Sequence, residues 1–247
     1  MLETHGDIAI LRLDTGKANA INPPMLAALE AGIDAFEAGA SRALVLTGVK
    51  NAFCAGLDLP TLFAFDHAAI RTHMENFERV FLRVFTCARP VVAALNGHAI
   101  AGGCVLAMQA DYRVLAEEAH FKMGLNETAL AVGLPALVIE TLRCLLPPTS
   151  FLQGALTGAL HTPEGALMLG FVEDLAPQAA VEDRAVERAT RLAEVPAPAF
   201  AQVKRDLRAP AVERIRATGP AVLDRWLDTW FSPEARALVG GIVERMK

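Results

Sequence analysis

The chain has 247 residues, 53% of them hydrophobic, and a net charge of -5. That length suffices for one large or two small domains with a sizeable buried core, and the acidic balance excludes a basic surface for nucleic acid. No apolar run reaches the roughly 18 residues of a spanning helix, and the start at Met1 lacks a charged-then-apolar leader, so a soluble cytoplasmic protein away from the membrane is expected.

In chain order, strands are expected at Asp7–Leu13, Arg42–Gly48, Val91–Leu95 and Tyr112–Leu115 from apolar alternation and branched residues. Helices fall between them. One runs over Pro23–Ala38, with Leu26, Leu29, Ile33 and Phe36 at helical spacing, and one over His67–Phe85, with Ile70, Met74, Phe77, Val80, Phe81 and Val84. Val105–Ala110 reads as a short helix after a glycine turn. The alternation indicates an α/β core. Beyond Pro135 strand signals nearly vanish, apart from a short candidate at Phe171–Leu175. Val195–Phe200, VPAPAF, carries the prolines of a helix-to-helix junction. After it Val222, Leu223, Trp226, Leu227 and Trp230 form a broad apolar helix face, which must pack on its own domain or on another subunit. The chain therefore divides into a core, residues 1–194, and a helical C-terminal region, residues 195–247, expected to support oligomerisation.

Cys54, Cys87, Cys104 and Cys144 are irregularly spaced, with no CxxC pair and no histidine at ligand spacing. Zinc, or any other metal, and a disulfide framework are not expected; all four read as small buried hydrophobes in a reducing compartment. Ser41, Ser150 and Ser232 lie outside any GxSxG, and the GxGxxG and GxxxxGK[ST] phosphate loops are absent. Nucleophilic and dinucleotide chemistry therefore lack support. His98, in NGHAIAGG, is read as structural.

Two glycine turns remain. AGGC, Ala101–Cys104, opens the short helix and would let backbone amides approach a ligand, or else serves tight packing. CAGLDL, Cys54–Leu59, follows the apolar run Ala43–Leu46; Gly56 permits an unusual backbone angle and Leu57 an inward amide, while Asp58 is either a helix cap or a direct participant. Glu127 follows Asn126 and precedes an uncharged run. Its carboxylate is either desolvated, with a raised pKa suited to a general base, or a surface cap.

These residues carry a resemblance. AGLDL at Ala55–Leu59, NG followed by AGGC at Asn96–Cys104, DYRVLA at Asp111–Ala116 and GLNET at Gly124–Thr128 resemble the crotonase superfamily of enoyl-CoA hydratases and isomerases, most closely its mitochondrial-type 3,2-enoyl-CoA isomerases. Weaker similarity runs over His161–Leu175 and into the C-terminal helices.

The resemblance implies a crotonase-like spiral of ββα units with a helical C-terminal region, assembled as a homotrimer or hexamer. It implies an oxyanion hole at the amides of Leu57 and Gly102, a catalytic Glu127, and acyl-CoA contacts from Ala55, Gly56, Asp58, Leu59 and Asn126. CoA is then part of the substrate and no cofactor is needed. Hydratases of the family carry two glutamates, and the first of those positions is Val105 here. One carboxylate suits double-bond isomerisation in fatty acid degradation better than hydration. The alternatives are a hydratase or other acyl-CoA lyase of the superfamily, and a noncatalytic acyl-CoA-binding scaffold. Pocket depth is expected to depend on Phe63, Phe65 and Phe77.

Overall fold

A computed structural model describes residues 2–246; Met1 and Lys247, the ends of the two expected regions, lie outside the described residues. The chain begins with β1 (Leu2–His5), β2 (Ile8–Arg12), α1 (Pro23–Ala38), β3 (Ala43–Thr47) and β4 (Ala52–Cys54). There follow α2 (Leu59–Phe63), α3 (His67–Thr86), β5 (Val91–Leu95), β6 (His98–Ile100) and α4 (Gly102–Met108). Then come β7 (Tyr112–Ala116), β8 (Met123–Gly124), α5 (Ala136–Leu145), α6 (Pro163–Leu169) and β9 (Asp174–Ala176). Helices α7 (Val181–Ala193), α8 (Ala197–Trp230) and α9 (Pro233–Arg245) close the chain.

The strands form a six-stranded sheet ordered β1-β2-β3-β5-β7-β9 and a three-stranded sheet ordered β4-β6-β8. Among the strands of the described residues, only β1 and β2 pair antiparallel. The pairs β3/β4, β5/β6 and β7/β8 each send their first strand to the large sheet and their second to the small one. A helix then returns the chain, so successive ββα units wind as a spiral.

Burial explains the large sheet. Strands β3 and β5 are buried along their whole length, and such strands read as continuous apolar runs. On one face Val181, Ala185, Ala189 and Ala193 form a small-residue stripe on α7, packed over Val45, Val92 and Val114. On the other, α1 and α3 contribute Leu29, Ile33, Phe36, Phe77 and Phe81 to the main core. Asn22 caps α1, its Oδ1 accepting the Met25 N–H at 3.0 Å, with Pro23 at the first helical position.

Helix α8 is docked by charge. Asp111, at the start of β7, accepts from Lys204 Nζ at 2.7 Å, from Arg208 Nη2 at 2.9 Å and from the Val91 N–H at 2.8 Å. Further along, Arg214 pairs with buried Glu140 of α5. These ties hold α8 on the core on both sides of Pro210, which would otherwise weaken a free helix.

Two strand expectations and one helix expectation are corrected. Phe171 and Val172 are core residues before the strand, which runs Asp174–Ala176. The helix after the glycine turn begins at Gly102 rather than Val105 and ends at Met108. The first strand, Ile8–Arg12, is preceded by β1, which pairs with it across the turn at Gly6 (φ 58°). The cysteine expectation also needs correction: Cys144 is exposed, on the outward face of α5, whereas Cys54, Cys87 and Cys104 are buried. No disulfide joins them.

Candidate active site

The small sheet assembles the site. Its strands are adjacent and parallel, with Cys54 beside Ala99 and Ile100 beside Gly124. Leu57, Gly102 and Glu127 lie two or three residues beyond the C-terminal ends of β4, β6 and β8 respectively. Neighbouring strands are about 4.8 Å apart, so Leu57 and Glu127, far apart in sequence, emerge at one end of one sheet.

The two glycine turns touch. Gly56 has φ +87°, and a Cβ there would lie 2.9 Å from the Ala101 Cβ and 3.3 Å from the Gly102 nitrogen. A Cβ on Gly103 would fall 2.0 Å from the Cys54 carbonyl oxygen, so α4 and β4 meet only because that position is glycine. Ala101 takes φ 51°, ψ -123°, and its N–H donates to the Gly124 carbonyl at 2.8 Å. A non-glycine residue so placed is strained, and such strain collects at functional sites. Among the described residues, neither the Leu57 nor the Gly102 N–H has an acceptor.

Glu127 begins the tight 3-10 turn Thr128–Leu130. Its carbonyl accepts from Leu130 N at 2.9 Å and Val132 N at 3.0 Å, but its carboxylate caps nothing. Oε2 is buried without a partner, as is Asn126 Oδ1. Burial pushes the Glu127 carboxyl up to about 7, a value at which it exchanges protons near neutrality. This removes the surface-cap reading.

Asp58 is a cap. Its carboxylate accepts from Thr61 N at 3.2 Å, Thr61 Oγ1 at 2.9 Å and Asn22 Nδ2 at 2.9 Å. Burial acts to raise its pKa, but these hydrogen bonds outweigh burial and hold it below the usual value. It is therefore an ionised structural carboxylate rather than a free base.

A cavity of about 430 Å³ joins these groups. Leu57, Gly102, Asn126 and Glu127 line it, together with Ala55, Asp58 and Leu59; Gly56 does not, being covered by Ala101. Val105 lines it too, 1% exposed. Trp226 and Trp230 stack with centroids 5.3 Å apart and form part of the wall, each 2% exposed within a single chain. Their face thus closes on its own domain and is not free for a neighbouring subunit. Val239, Ile242 and Met246, from α9 and the residue after it, complete the enclosure.

Of the phenylalanines expected to set pocket depth, only Phe77 lines the cavity. Phe63 lies under the Arg236 guanidinium, 3.4 Å from ring centroid to Cζ, and Phe65 packs edge-on to His73. His98 is structural: its Nδ1 accepts from Lys122 N at 3.2 Å and its ring meets Phe121. Burial pushes the Cys54 thiol up to about 12 and raises Cys104, so neither is a thiolate near neutral pH.

Sequence reasoning missed Asn22 and the tryptophan wall. The Asn22-Pro-Pro start is a helix-cap signature, which could have flagged Asn22 but not its reach to Asp58. Nothing local in the sequence tells which surface receives Trp226 and Trp230.

Residues 3–232 match the enoyl-CoA hydratase/isomerase family. The chain belongs to that family. It is 28% identical over 200 residues to the mitochondrial enoyl-CoA delta isomerase 1 of Mus musculus, covering 79% of this chain and 69% of the relative. It is 36% identical over 195 residues to a putative enoyl-CoA hydratase of Thermus thermophilus, covering 76% and 74%. The crystal structure of human mitochondrial delta3-delta2-enoyl-CoA isomerase superposes with a TM-score of 0.93 at 25% identity, over 100% of this chain and 97% of that one. The spiral of ββα units with C-terminal helices is thus the crotonase fold, and the family's members named here include both isomerases and hydratases.

Proposed function

We propose that this enoyl-CoA hydratase/isomerase family member is a 3,2-enoyl-CoA isomerase acting in fatty acid degradation. The observation that carries the reading is the carboxylate inventory of the cavity. Among its described lining residues only Asp58 and Glu127 are acidic, Asp58 is engaged as a cap, and Val105 stands where a hydratase's additional glutamate would be.

The thioester oxygen of a 3-enoyl-CoA accepts hydrogen bonds from the Leu57 and Gly102 amides. Glu127 removes a proton from the α-carbon; the C–H electrons pass into the conjugated system, and the negative charge gathers on the thioester oxygen of a dienolate. The same carboxyl group returns the proton to the γ-carbon, and the electrons settle as the 2,3 double bond. No atom is gained or lost. Fixed amides stabilise the charge where it develops, which favours the transition state over bound substrate. The substrate-contact roles of Ala55, Asp58, Leu59 and Asn126 belong to this proposal, as does the absence of any cofactor beyond the substrate's CoA; Gly56 serves instead to let the two turns meet.

A homotrimer in the cytoplasm is also part of the reading. Exposed Leu152, Leu156 and Met168, with Val203 and Leu207 on α8, leave apolar side chains at the surface for self-association, whereas Trp226 and Trp230 are buried. Assay of purified protein with 3-hexenoyl-CoA and with crotonyl-CoA tests the reaction. Isomerisation far faster than hydration is expected; hydration that equals or exceeds it would make the protein a hydratase, and inactivity on both would make it an acyl-CoA-binding protein.

A further inference from the structure

The segment that carries Leu57 is splinted by a second stretch of chain, Ala18–Asn22. The Ala55 N–H donates to the Ala18 carbonyl at 3.0 Å and the Cys54 thiol to the Asn19 carbonyl at 3.1 Å. The Ile21 N–H donates to Gly56 O at 2.7 Å, and the Asp58 N–H to Ile21 O at 3.0 Å. The backbone groups on either side of the Leu57 N–H are thereby fixed in a parallel bridge, while that N–H stays outside it.

Asn22 ends the splint and does two things at once. Its Oδ1 caps α1 by accepting from Met25, and its Nδ2 donates to Asp58 Oδ2 at 2.9 Å. Asp58 in turn starts α2 through Thr61. The side chain of Asn22 thus joins the N-termini of two helices across the residue next to Leu57. An amide on a loop is directed only as well as the loop is held, and misplacement of a donor by a fraction of an ångström weakens it at the transition state.

We infer that Asn22 is a positioning residue, which acts through Asp58 to aim the Leu57 amide at the substrate's thioester oxygen. The inference rests on the proposed oxyanion role of Leu57. It predicts a loss in turnover rather than in binding, because the ground-state carbonyl makes weaker demands on donor geometry than the enolate oxygen does.

Asn22→Ser keeps a hydroxyl that can cap α1 but removes the reach to Asp58. Expected are a fall in kcat of roughly tenfold or more, short of the hundred- to thousand-fold loss typical for deleting a donor, a KM within about twofold of wild type, and an unchanged Tm. Asn22→Asp also keeps the cap but sets a carboxylate against Asp58. Its kcat, as a ratio to wild type, should climb as pH falls from 7 to 5, because a carboxylate pair that takes up one proton regains a hydrogen bond.

His73 on α3 is the ionisable neighbour of Asp58 from a packed helix, and burial pushes its pKa down to about 4, so it stays mostly neutral over that range. Glu127 titrates in both proteins and cancels in the ratio. All variants are measured on whichever of 3-hexenoyl-CoA and crotonyl-CoA the wild type turns over, with Leu57→Pro alongside. If Leu57→Pro is crippled while Asn22→Ser keeps the wild-type kcat, the positioning role is wrong and the oxyanion role stands. If Leu57→Pro is unimpaired, the oxyanion role itself is wrong. A lower Tm in Asn22→Ser with kcat and KM damaged together, or a flat pH ratio in Asn22→Asp, would reduce Asn22 to a helix cap.

Discussion

Replacing Glu127 by glutamine separates a catalytic carboxylate from a structural one, because the two roles change stability in opposite directions. Burial raises the carboxyl from its ordinary 4.5 to about 7. Between those values the folded protein holds a proton that the unfolded chain has released, so Glu127's contribution to stability falls as pH rises through that window. A tenfold change in an equilibrium is worth about 1.4 kcal/mol, so the ionised glutamate costs about 3 kcal/mol at pH 8 but only about 1 kcal/mol at pH 5. Glutamine carries no such cost. Relative to wild type, Glu127→Gln should therefore gain about 2 kcal/mol between pH 5 and pH 8. For a chain of this size that is roughly 4–8 °C in Tm, readable by calorimetry at the two pH values. Turnover should meanwhile fall by roughly a hundred- to ten-thousand-fold, the range for a positioned general base. A glutamate whose charge supported the helix turn would instead lose about 1 kcal/mol at neutral pH on substitution. A variant that is less stable at pH 8 than at pH 5 relative to wild type, or one with near-normal turnover, would refute the reasoning.

The wild-type kcat/KM for 3-hexenoyl-CoA should rise with pH and level off above about 7, since the base must be unprotonated; a profile flat from pH 5 to 8 would assign the proton transfer to another group. Leu57→Pro should cost about 3 kcal/mol or more in transition-state stabilisation, while Leu57→Ala, which keeps the amide, should be much milder; circular dichroism must accompany the kinetics because proline also restricts Gly56. Val105→Glu places a second carboxylate on the cavity wall and should bring some hydration of crotonyl-CoA with partial loss of isomerisation, at a stability cost from burying the charge, read by thermal melting. Trp230→Ala should destabilise the single chain by roughly 3–5 kcal/mol, because the ring is buried against its own domain; a denaturant melt that leaves the midpoint unchanged would contradict that packing.

Local chemistry made much of this protein legible before any tertiary structure. Pro23–Ala38 reads as a helix because a proline begins it and Leu26, Leu29, Ile33 and Phe36 recur at its period; those signals are contained in sixteen consecutive residues. Val91–Leu95 is a strand for a similar reason, an unbroken apolar run of strand length. The glycine turns and Glu127 stood out because their residue types are unusual for their surroundings. What the sequence could not display is the small sheet. Its strands are two or three residues long, too short for any periodicity, and exist only because the large sheet brings Cys54, Ala99 and Met123 side by side. That sheet alone places Leu57, Gly102 and Glu127 around one cavity. Tertiary structure also decided the fate of Trp226 and Trp230: an apolar helix face requires cover but does not specify by what, and here α8 turns it onto the cavity. The elevated Glu127 pKa is of the same kind. The residue type is written in the sequence, but desolvation depends on atoms that reach it from strands, turns and helices far away along the chain.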